Sequence, residues 1–519
     1  MEDKDSYRLL TGTTFEDDWN FPSHEDELDE ILLGSHSKYP PRTLGTTKAG
    51  KKQQITEEER PHAHLIGSTG EGKSKFLEFL IRDDIRRGFG VCLLDATKGA
   101  KTLNEILKWC AYKKIEKVCL IDLHQRWQYR KTPGLNPFLY KKEKDGTRTK
   151  SRMLQKTSVD SIRDSIRILT NTKDPAQESF INRYLPAVLN CLYNAQGTMS
   201  EAQYFSNQVY VKQREEILSY TDPNDSDRLD LEEAFRNSRQ YEHLQTTINR
   251  LRYFFREPLH LIFGVERGID FMKMVRDKWV ILVNLDASLD LDATDARLLG
   301  TTVINQLIVA IDRLFVKRDR KSSRYYLYID EAGKYATRKL ADTFAEQGKT
   351  GLRVTIGHQY FGQFEDKYVV DAINALTNLK AMFNLPGRED RDKITRMFYG
   401  GEISDRQASF ANADIPKQHA VIKVGKGSPQ RVKIPDVKTP IVSKEQLESY
   451  IMRLYEQPWY YDPREIQDQL KAKSIYDATR TQGVDTEAPK PRTTTNRRTG
   501  RKAGVSDKGN NSSKWKDVS

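Results

Sequence analysis

The chain has 519 residues, and at about 150 residues per domain this length predicts roughly three domains or one large elaborated domain. Hydrophobic residues make up 37% of the chain and charged residues 30%, and its 24 Tyr and 20 Phe exclude a disordered polymer. The longest obvious apolar run, Trp279–Leu285, is far shorter than a membrane span, and the net charge of +12 is compatible with a polyanionic partner.

Residues 1–60 are predicted to form an extended N-terminal arm. Eight acidic residues fall within the stretch Glu16–Glu30. Two interpretations stay open for this arm: a poorly ordered tail, or a segment that docks on a basic surface and uses Trp19 and Phe21 as anchors.

Beyond residue 60, short β-type runs alternate with helical stretches. A helix is predicted over Ser74–Arg87, because apolar residues recur every four positions and Gly88 follows as a stop. The predicted strands are His62–Gly67, Val91–Asp95, Lys117–Asp122, Trp279–Leu285, Tyr325–Asp330, Leu352–Gly357 and Leu379–Leu385. This alternation predicts an α/β domain with a mainly parallel central sheet, built from residues 61–140 and 276–440.

Residues 141–275 break the alternation. Helical spacing of apolar residues is found at Asp160–Leu169, Phe180–Tyr193 and Tyr241–Phe255. We interpret this part as an all-helical insertion into the α/β domain. C-terminal helices are expected over residues 441–480, and residues 481–519 are expected to form a basic, disordered tail.

The four cysteines, Cys92, Cys110, Cys119 and Cys191, form no C-x-x-C pair, and several lie in apolar runs. We interpret them as reduced core residues of a cytosolic protein. His62 and His64 alternate on a predicted strand, and we interpret both as structural residues rather than metal ligands.

A phosphate-binding loop is predicted at Gly67-Ser68-Thr69-Gly70-Glu71-Gly72-Lys73-Ser74, which matches G-x-x-x-x-G-K-[ST] between a strand and a helix. Glycines let successive N–H groups turn toward phosphate oxygens, and the helix N-terminus adds a favourable dipole. Lys73 is the candidate for the β- and γ-phosphates, and the Ser74 hydroxyl is the candidate for Mg²⁺.

Two acids, Asp330 and Glu331, stand at the carboxyl end of a predicted strand, the edge at which open α/β sheets bind ligands. Asp330 is expected to hold Mg²⁺ through water, and Glu331 to orient and deprotonate the attacking water. The adjacent Glu favours hydrolysis of ATP over a slow GTP switch, so ATP and Mg²⁺ are the predicted cofactors. The next strand ends in His358 and Gln359, and we favour Gln359 as the sensor of the γ-phosphate.

Further stretches complete a family pattern in a fixed order: Leu94–Gly99, Gly134–Phe138, Ile248–Leu251, Leu261–Gly264, Val280–Leu285, Arg297–Gly300, Tyr328–Ala332 and Gly357–Gln363. With the phosphate loop, they resemble the HerA/FtsK superfamily of hexameric DNA-pumping ATPases. More narrowly, the chain resembles the VirD4/TraG/TraD type of coupling proteins of conjugation and type IV secretion, from about residue 62 to about residue 427. The resemblance implies a RecA-like P-loop NTPase core with an all-α insertion domain, and a homo-hexameric ring that translocates DNA.

The chain departs from this family at two points. Membrane-bound coupling proteins usually begin with two transmembrane helices and this chain has none, so we expect a soluble, cytoplasmic relative that docks to a membrane or capsid machine through partners. Gly348 stands where the family often has an arginine that acts on a neighbour's ATP. The candidates for a cation acting in trans are, in order of preference, Lys349, Arg391, Arg388 and Arg353.

Basic clusters at Lys141–Lys156, at Arg313–Arg324 and in the tail predict sequence-independent contacts with the DNA phosphate backbone. A protein partner is expected at the helical insertion or at the acidic arm. Three other functions stay open. They are a viral genome-packaging ATPase with the same core, a repair-type HerA motor, and a non-motor, ATP-gated docking or scaffold protein.

Overall fold

The computed structural model of the chain describes residues 39–57, 60, 62–124, 131–142, 148–167, 175–266, 268–288, 291–317, 324–345, 351–364, 366–385, 388–399 and 415–466. The acidic stretch Glu16–Glu30, Gly348, Lys349 and the predicted tail, 481–519, lie outside the described residues. Parts of the first two basic clusters, residues 143–147 and 318–323, lie outside them as well. Within the described part of the chain, no helix is long and apolar enough to cross a membrane.

The described strands are, in chain order, β1 (Arg42–Thr47), β2 (Lys52–Ile55), β3 (His62–Ile66), β4 (Gly90–Asp95), β5 (Val118–Ile121), β6 (Thr132–Pro133), β7 (Lys141–Lys142), β8 (Arg148–Thr149), β9 (Val280–Asn284), β10 (Tyr325–Asp330), β11 (Leu352–His358), β12 (Leu379–Met382), β13 (His419–Val424), β14 (Gln430–Lys433) and β15 (Tyr460–Tyr461).

The described α-helices are α1 (Lys73–Arg86), α2 (Lys101–Tyr112), α3 (Arg152–Arg167), α4 (Pro175–Asn194), α5 (Val211–Ser219), α6 (Ser226–Arg236), α7 (Ser238–Phe255), α8 (His260–Phe263), α9 (Phe271–Arg276), α10 (Ala293–Lys317), α11 (Arg338–Ala345), α12 (Lys367–Leu376), α13 (Arg388–Tyr399) and α14 (Lys444–Leu454). Short 3₁₀ turns include Ala332–Lys334 and Phe361–Gln363.

Eleven of these strands form one sheet, in the order β2-β1-β14-β13-β12-β3-β11-β10-β4-β9-β5. The strands from β12 to β5 pair in parallel, and they correspond to the seven strands predicted from the sequence. Strands β13, β14, β1 and β2 pair antiparallel; we call these four the antiparallel wing. The predicted fold class, a RecA-like P-loop core with a mainly parallel sheet and an all-α insertion, is confirmed.

Burial explains why the parallel strands were readable from sequence. Every residue of β3, β4, β5, β9 and β10 is buried, as expected where helices cover both faces of a parallel sheet. Such strands are mostly apolar or aromatic runs, and some of their polar atoms find internal partners. The Tyr325 hydroxyl, for example, donates to the Trp279 carbonyl oxygen at 2.7 Å.

The extended arm predicted over residues 1–60 is wrong for its last part, because β1 and β2 form a hairpin in the central sheet. Leu44 and Ile55 are buried in the main core. Arg42 is also buried, and its guanidinium pairs with Asp83 and Asp84 near the end of α1. These apolar and ionic contacts fix the hairpin, although its short polar sequence carries no clear strand pattern.

Helices α3 to α9 occupy the chain between β8 and β9. They join the α/β part through α3, which packs along α10: the Asn305 side-chain amide donates to Ser165 Oγ at 2.9 Å. At the other end of the chain, β15 pairs with β6, and the backbone N–H of Leu120 in β5 donates to the Tyr460 hydroxyl at 2.8 Å. The domain boundaries assigned above stay predictions.

Candidate functional site

The predicted phosphate loop leaves the end of β3 and leads directly into α1. Gly70 and Gly72 have φ values of +85° and +114°, which L side chains rarely adopt, so glycine is required for this tight turn. The Gly67 N–H donates to the His358 carbonyl at 3.2 Å where the loop leaves β3, and two further backbone hydrogen bonds hold the loop from outside. The Ser68 N–H donates to the Asn384 carbonyl at 3.0 Å, and the Gln418 N–H donates to the Glu71 carbonyl at 3.2 Å.

The acid pair lies beside the start of α1, because only β11 separates β3 from β10 in the sheet. The Ser74 hydroxyl donates to Asp330 Oδ2 at 3.2 Å. Lys73 Nζ lies 3.6 Å from Asp330 Oδ1 and 3.4 Å from Glu331 Oε1. The fold thus brings together four predicted site residues from two distant sequence regions.

Asp330 has an oxygen with unused hydrogen-bonding capacity. The residue is fully buried, and within the described residues its Oδ1 accepts no hydrogen bond. Carboxylate and hydroxyl oxygens are the ligands that hard divalent cations prefer. Asp330 and Ser74 therefore form a donor set that fits Mg²⁺.

Glu331 is held in an unusual backbone conformation. Its φ of 60° and ψ of 49° are left-handed, a conformation that costs a non-glycine residue on the order of 1–3 kcal/mol. Gln359 Nε2 donates to Glu331 Oε1 at 2.7 Å, and Gln363 Nε2 donates to Oε2 at 3.0 Å. Burial raises the pKa of Glu331, but the Lys73 charge and these two amides outweigh it and lower the pKa overall. The carboxylate is therefore ionised at neutral pH.

Gln363 was not among the predicted site residues. The 3₁₀ turn Phe361–Gln363 directs its side chain back toward β11, where its Oε1 accepts from the Gln359 N–H at 2.9 Å. Gly333 permits this approach, since a Cβ there would lie 2.5 Å from the Gln363 Cβ. The four-residue spacing of the two glutamines was the available signal, but its meaning depends on the turn between them.

Asp95 is a second residue that the sequence did not assign to the site. It ends β4 directly opposite Asp330 on β10. Burial and the Asp330 charge raise the pKa of Asp95 to about 6, although hydrogen bonds from Thr97 and from the Leu103 N–H oppose the rise. The signal was present, since Asp95 lies in a stretch that matched the family pattern.

His358 and Gln359 point in different directions at the end of β11. His358 Nε2 lies 2.6 Å from His64 Nε2 on the neighbouring strand β3, and both rings are buried. Burial and the nearby Lys380 charge lower the pKa of His64 to about 3, and burial, His64 and Lys73 lower the pKa of His358. The two rings are neutral and face each other. His358 therefore points toward His64 on β3, whereas Gln359 points toward Glu331 and donates to its carboxylate.

The candidates for a trans-acting cation are scattered. Arg353 is the second residue of β11, at the amino end of the strand and therefore at the opposite sheet edge from Glu331. Arg388 and Arg391 lie in the first turn of α13, and the Arg391 side chain is half-buried. Lys349 is outside the described residues. A role for any of these residues stays a prediction.

The phosphate loop, the acid pair and the polar end of the intervening strand define a P-loop NTPase fold of the RecA-like class. Among solved structures, the chain is similar to the bacterial conjugative coupling protein TrwB. The unbound monoclinic form aligns with 15% sequence identity and a TM-score of 0.53, covering 79% of this chain and 92% of that one.

Two ligand-bound TrwB structures align equally well. The complex with the non-hydrolysable ATP analogue ADPNP has 16% identity and a TM-score of 0.54, over 78% of this chain and 96% of that chain. The complex with ADP and Mg²⁺ has 15% identity and a TM-score of 0.53, over 78% and 91%. No protein-family model and no curated protein matches the sequence. The chain therefore shares its fold with TrwB, as the sequence resemblance predicted.

Proposed function

We propose that the chain is an ATPase that couples ATP hydrolysis to movement of DNA, working as a ring of identical subunits. One observation carries the ATPase assignment. The P-loop lysine, the Asp330–Glu331 pair and Gln359 converge within hydrogen-bonding or ion-pair distance at the carboxyl edge of one parallel sheet. That edge is where open α/β sheets bind ligands.

ATP with Mg²⁺ is the proposed ligand of this site. The backbone N–H groups of the loop and the N-terminus of α1 provide donors and a favourable dipole for phosphate oxygens, and Lys73 provides a point charge. Ser74 and Asp330 would hold Mg²⁺, which would neutralise negative charge on the phosphates. TrwB, which shares the fold, has been solved with an ATP analogue and with ADP and Mg²⁺.

Glu331 is the proposed general base. A water oxygen attacks the γ-phosphorus, its proton passes to the Glu331 carboxylate, and the bond to the ADP oxygen breaks to release ADP and phosphate. Gln359 and Gln363 each donate to one oxygen of this carboxylate, so they fix its direction. The lowered pKa of Glu331 keeps it ionised at neutral pH.

DNA is the proposed substrate for movement. The fold is shared with TrwB, which is a conjugative coupling protein, and the chain carries a net charge of +12. Basic clusters without a base-reading motif favour contact with the phosphate backbone, so binding should fall steeply as salt rises. The helical insertion is the proposed site for a protein partner that delivers DNA.

The test compares ATP hydrolysis by the wild-type chain, Glu331→Gln and the matched exposed control Glu448→Gln, each with and without DNA. Glu331→Gln should bind ATP normally and hydrolyse it about 10²–10⁴-fold more slowly, because it lacks the general base. Glu448→Gln should match the wild type, and DNA should stimulate both.

Two results would contradict the proposal. ATP hydrolysis by Glu331→Gln at the wild-type rate would show that Glu331 is not the general base. Hydrolysis that DNA does not stimulate, together with DNA binding that ignores salt, would favour the non-motor docking protein over the translocase. Imaging with ATP and DNA would then show no ring around DNA.

A further inference from the structure

One face of the antiparallel wing carries several cations. Lys52, Thr46, Lys433 and His419 are register partners across β2, β1, β14 and β13, and directly opposed residues project to the same face. Arg431 lies two residues before Lys433 on β14 and therefore shares that face.

The same face continues toward the centre of the sheet. Arg431 opposes Val421 on β13, and Lys423, two residues further on, opposes Lys380 on β12. Burial and, as the smaller cause, the Lys423 charge lower the pKa of Lys380 to about 8. We call Lys52, Lys423, Arg431 and Lys433 the basic face.

The opposite side of the wing is apolar. Leu44, Ile55, Val432 and Ile434 are buried in the main core. The wing is thus a one-sided sheet, which is common for antiparallel strands. Within the described residues, helix α13 covers the inner part of this face: Val421 shares a buried apolar cluster with Ile394 and Phe398, and Lys423 Nζ donates to the Phe398 carbonyl at 2.5 Å. Lys52, Arg431 and Lys433 are exposed.

Residues around the basic face add charge of the same sign. Within residues 39–57 and 415–440, the exposed cations are Lys48, Lys51, Lys52, Lys417, Lys426, Arg431, Lys433 and Lys438. The exposed acid in these two stretches is Asp436, since Glu57 is buried next to Arg42. A surface with this imbalance attracts a polyanion.

We propose that the acidic segment of this chain, residues 16–30, docks on the basic face of the antiparallel wing. The segment contains eight Asp and Glu and no Lys or Arg. Its eight negative charges therefore nearly match the eight exposed cations on and around the basic face. Trp19 and Phe21 within it supply aromatic rings that can lie against exposed cations.

The covalent connection favours this occupant over a separate molecule. The described chain begins at Tyr39, whose ring packs 4.9 Å from that of Phe89, and β1 of the wing starts three residues later. Eight residues separate Glu30 from Tyr39, a reach of about 30 Å, whereas the wing is only about 14 Å from its first strand to its fourth. Because the tether is short, the effective concentration of the acidic segment at the wing is about 1 mM, and a free anion must compete with it for the basic face.

Zero-length carbodiimide cross-linking of the full-length chain, followed by peptide mass spectrometry, tests the docking without ATP. At about 0.05 M salt, acids of residues 16–30 should couple to Lys417, Lys426 or Lys433. At 1 M salt, where the Debye length is about 3 Å, the yield should fall at least about tenfold. The double variant Lys52→Gln/Arg431→Gln should lower the cross-link yield at Lys417, Lys426 and Lys433. The control Lys212→Gln/Arg239→Gln changes exposed cations elsewhere and should leave that yield unchanged.

Variants of the segment give a second measurement that leaves the folded core unchanged. Glu25→Gln/Asp26→Asn/Glu27→Gln should reduce cross-links from the remaining acids of the segment. The proposal is wrong if no such cross-links form at low salt, or if Lys52→Gln/Arg431→Gln leaves them unchanged. It is also wrong if that variant weakens binding of a short DNA duplex more than about tenfold while the cross-links are absent, because the face would then be a nucleic-acid surface.

Discussion

Gln363 holds Glu331 and the end of β11 together through one side-chain amide. Its Nε2 donates to Glu331 Oε2 at 3.0 Å, and its Oε1 accepts from the Gln359 N–H at 2.9 Å. Gln359 in turn donates to the other carboxylate oxygen at 2.7 Å. The proposed general base and the proposed sensor therefore form a closed ring of hydrogen bonds, and Gln363 is its positioning residue.

Gln363→Ala should lower the kcat for ATP hydrolysis about 10–100-fold and change KM by less than about twofold. The reason is that a wrongly oriented general base destabilises the transition state but has little effect on the binding of ATP. It also removes a hydrogen bond that lowers the pKa of Glu331, so the acid limb of the pH–rate profile should move to higher pH. Steady-state kinetics across pH measure both effects. Gln208→Ala, at an exposed glutamine, is the control, and an unshifted acid limb would argue against this role.

Asp95 should make the chain less stable as pH rises. Its pKa is raised to about 6 in the folded chain from 3.8, so the folded state binds the extra proton between these values. The associated stability is present below pH 3.8 and is lost as pH rises through 6. Asp95→Asn should abolish this part of the pH dependence. Urea unfolding of both proteins from pH 4 to pH 7 measures it, and parallel curves would contradict the assignment.

The β1–β2 hairpin should contribute strongly to stability through Arg42. The buried Arg42 guanidinium pairs with Asp83 and Asp84, and the Tyr328 hydroxyl also contacts Asp84. Arg42→Met should lower the free energy of unfolding by about 1.5–3 kcal/mol, because buried Asp83 and Asp84 each lose one of two cations. Arg87 and Arg60 still pair with these carboxylates in the variant. Lys48→Met, in the exposed turn of the same hairpin, should change it by less than about 0.5 kcal/mol. Equal effects of the two variants would mean that the ion pairs are not important.

Mixing inactive variants should identify the cation that we expect to act across a subunit boundary. An Ala variant at the true position should be inactive alone and regain ATPase activity when mixed with Lys73→Ala, because one interface then pairs an intact loop with an intact cation. Lys349 and Arg391 remain the first choices. Arg353→Ala should keep full ATPase activity, because Arg353 lies at the amino end of β11, at the sheet edge opposite the proposed ATP site. Full activity of all four Ala variants would exclude every candidate.

The parallel strands and the phosphate loop were predictable because their information is local. Strand β10 is an unbroken aromatic and β-branched run, and the loop is a spaced motif between a strand and a helix. The antiparallel wing was missed because its strands are short and polar on one side; only Val432 of β14 is buried. Two of its pairings are hairpins, but β1 pairs with β14, which lies far away in sequence, so no local pattern indicates that the two hairpins form one wing.

The site residues divide in the same way. Lys73 and Asp330 were predicted because each lies in a recognisable motif. The contacts of Gln363 and Asp95 depend on a turn and on strand order, respectively. The family stretch Leu94–Gly99 contained Asp95, but strand order is a property of the assembled sheet, so only the folded chain shows that this acid lies opposite Asp330.

The two backbone bonds that brace the phosphate loop have a consequence for synthesis of the chain. Ser68 and Glu71 are held by Asn384 and Gln418, which follow them by more than 300 residues. A nascent chain that has not reached Asn384 contains the complete G-x-x-x-x-G-K-S motif yet lacks both braces. Nucleotide affinity should therefore appear late on the ribosome, when the last strands have joined the sheet, and stalled or truncated chains should be unable to trap ATP.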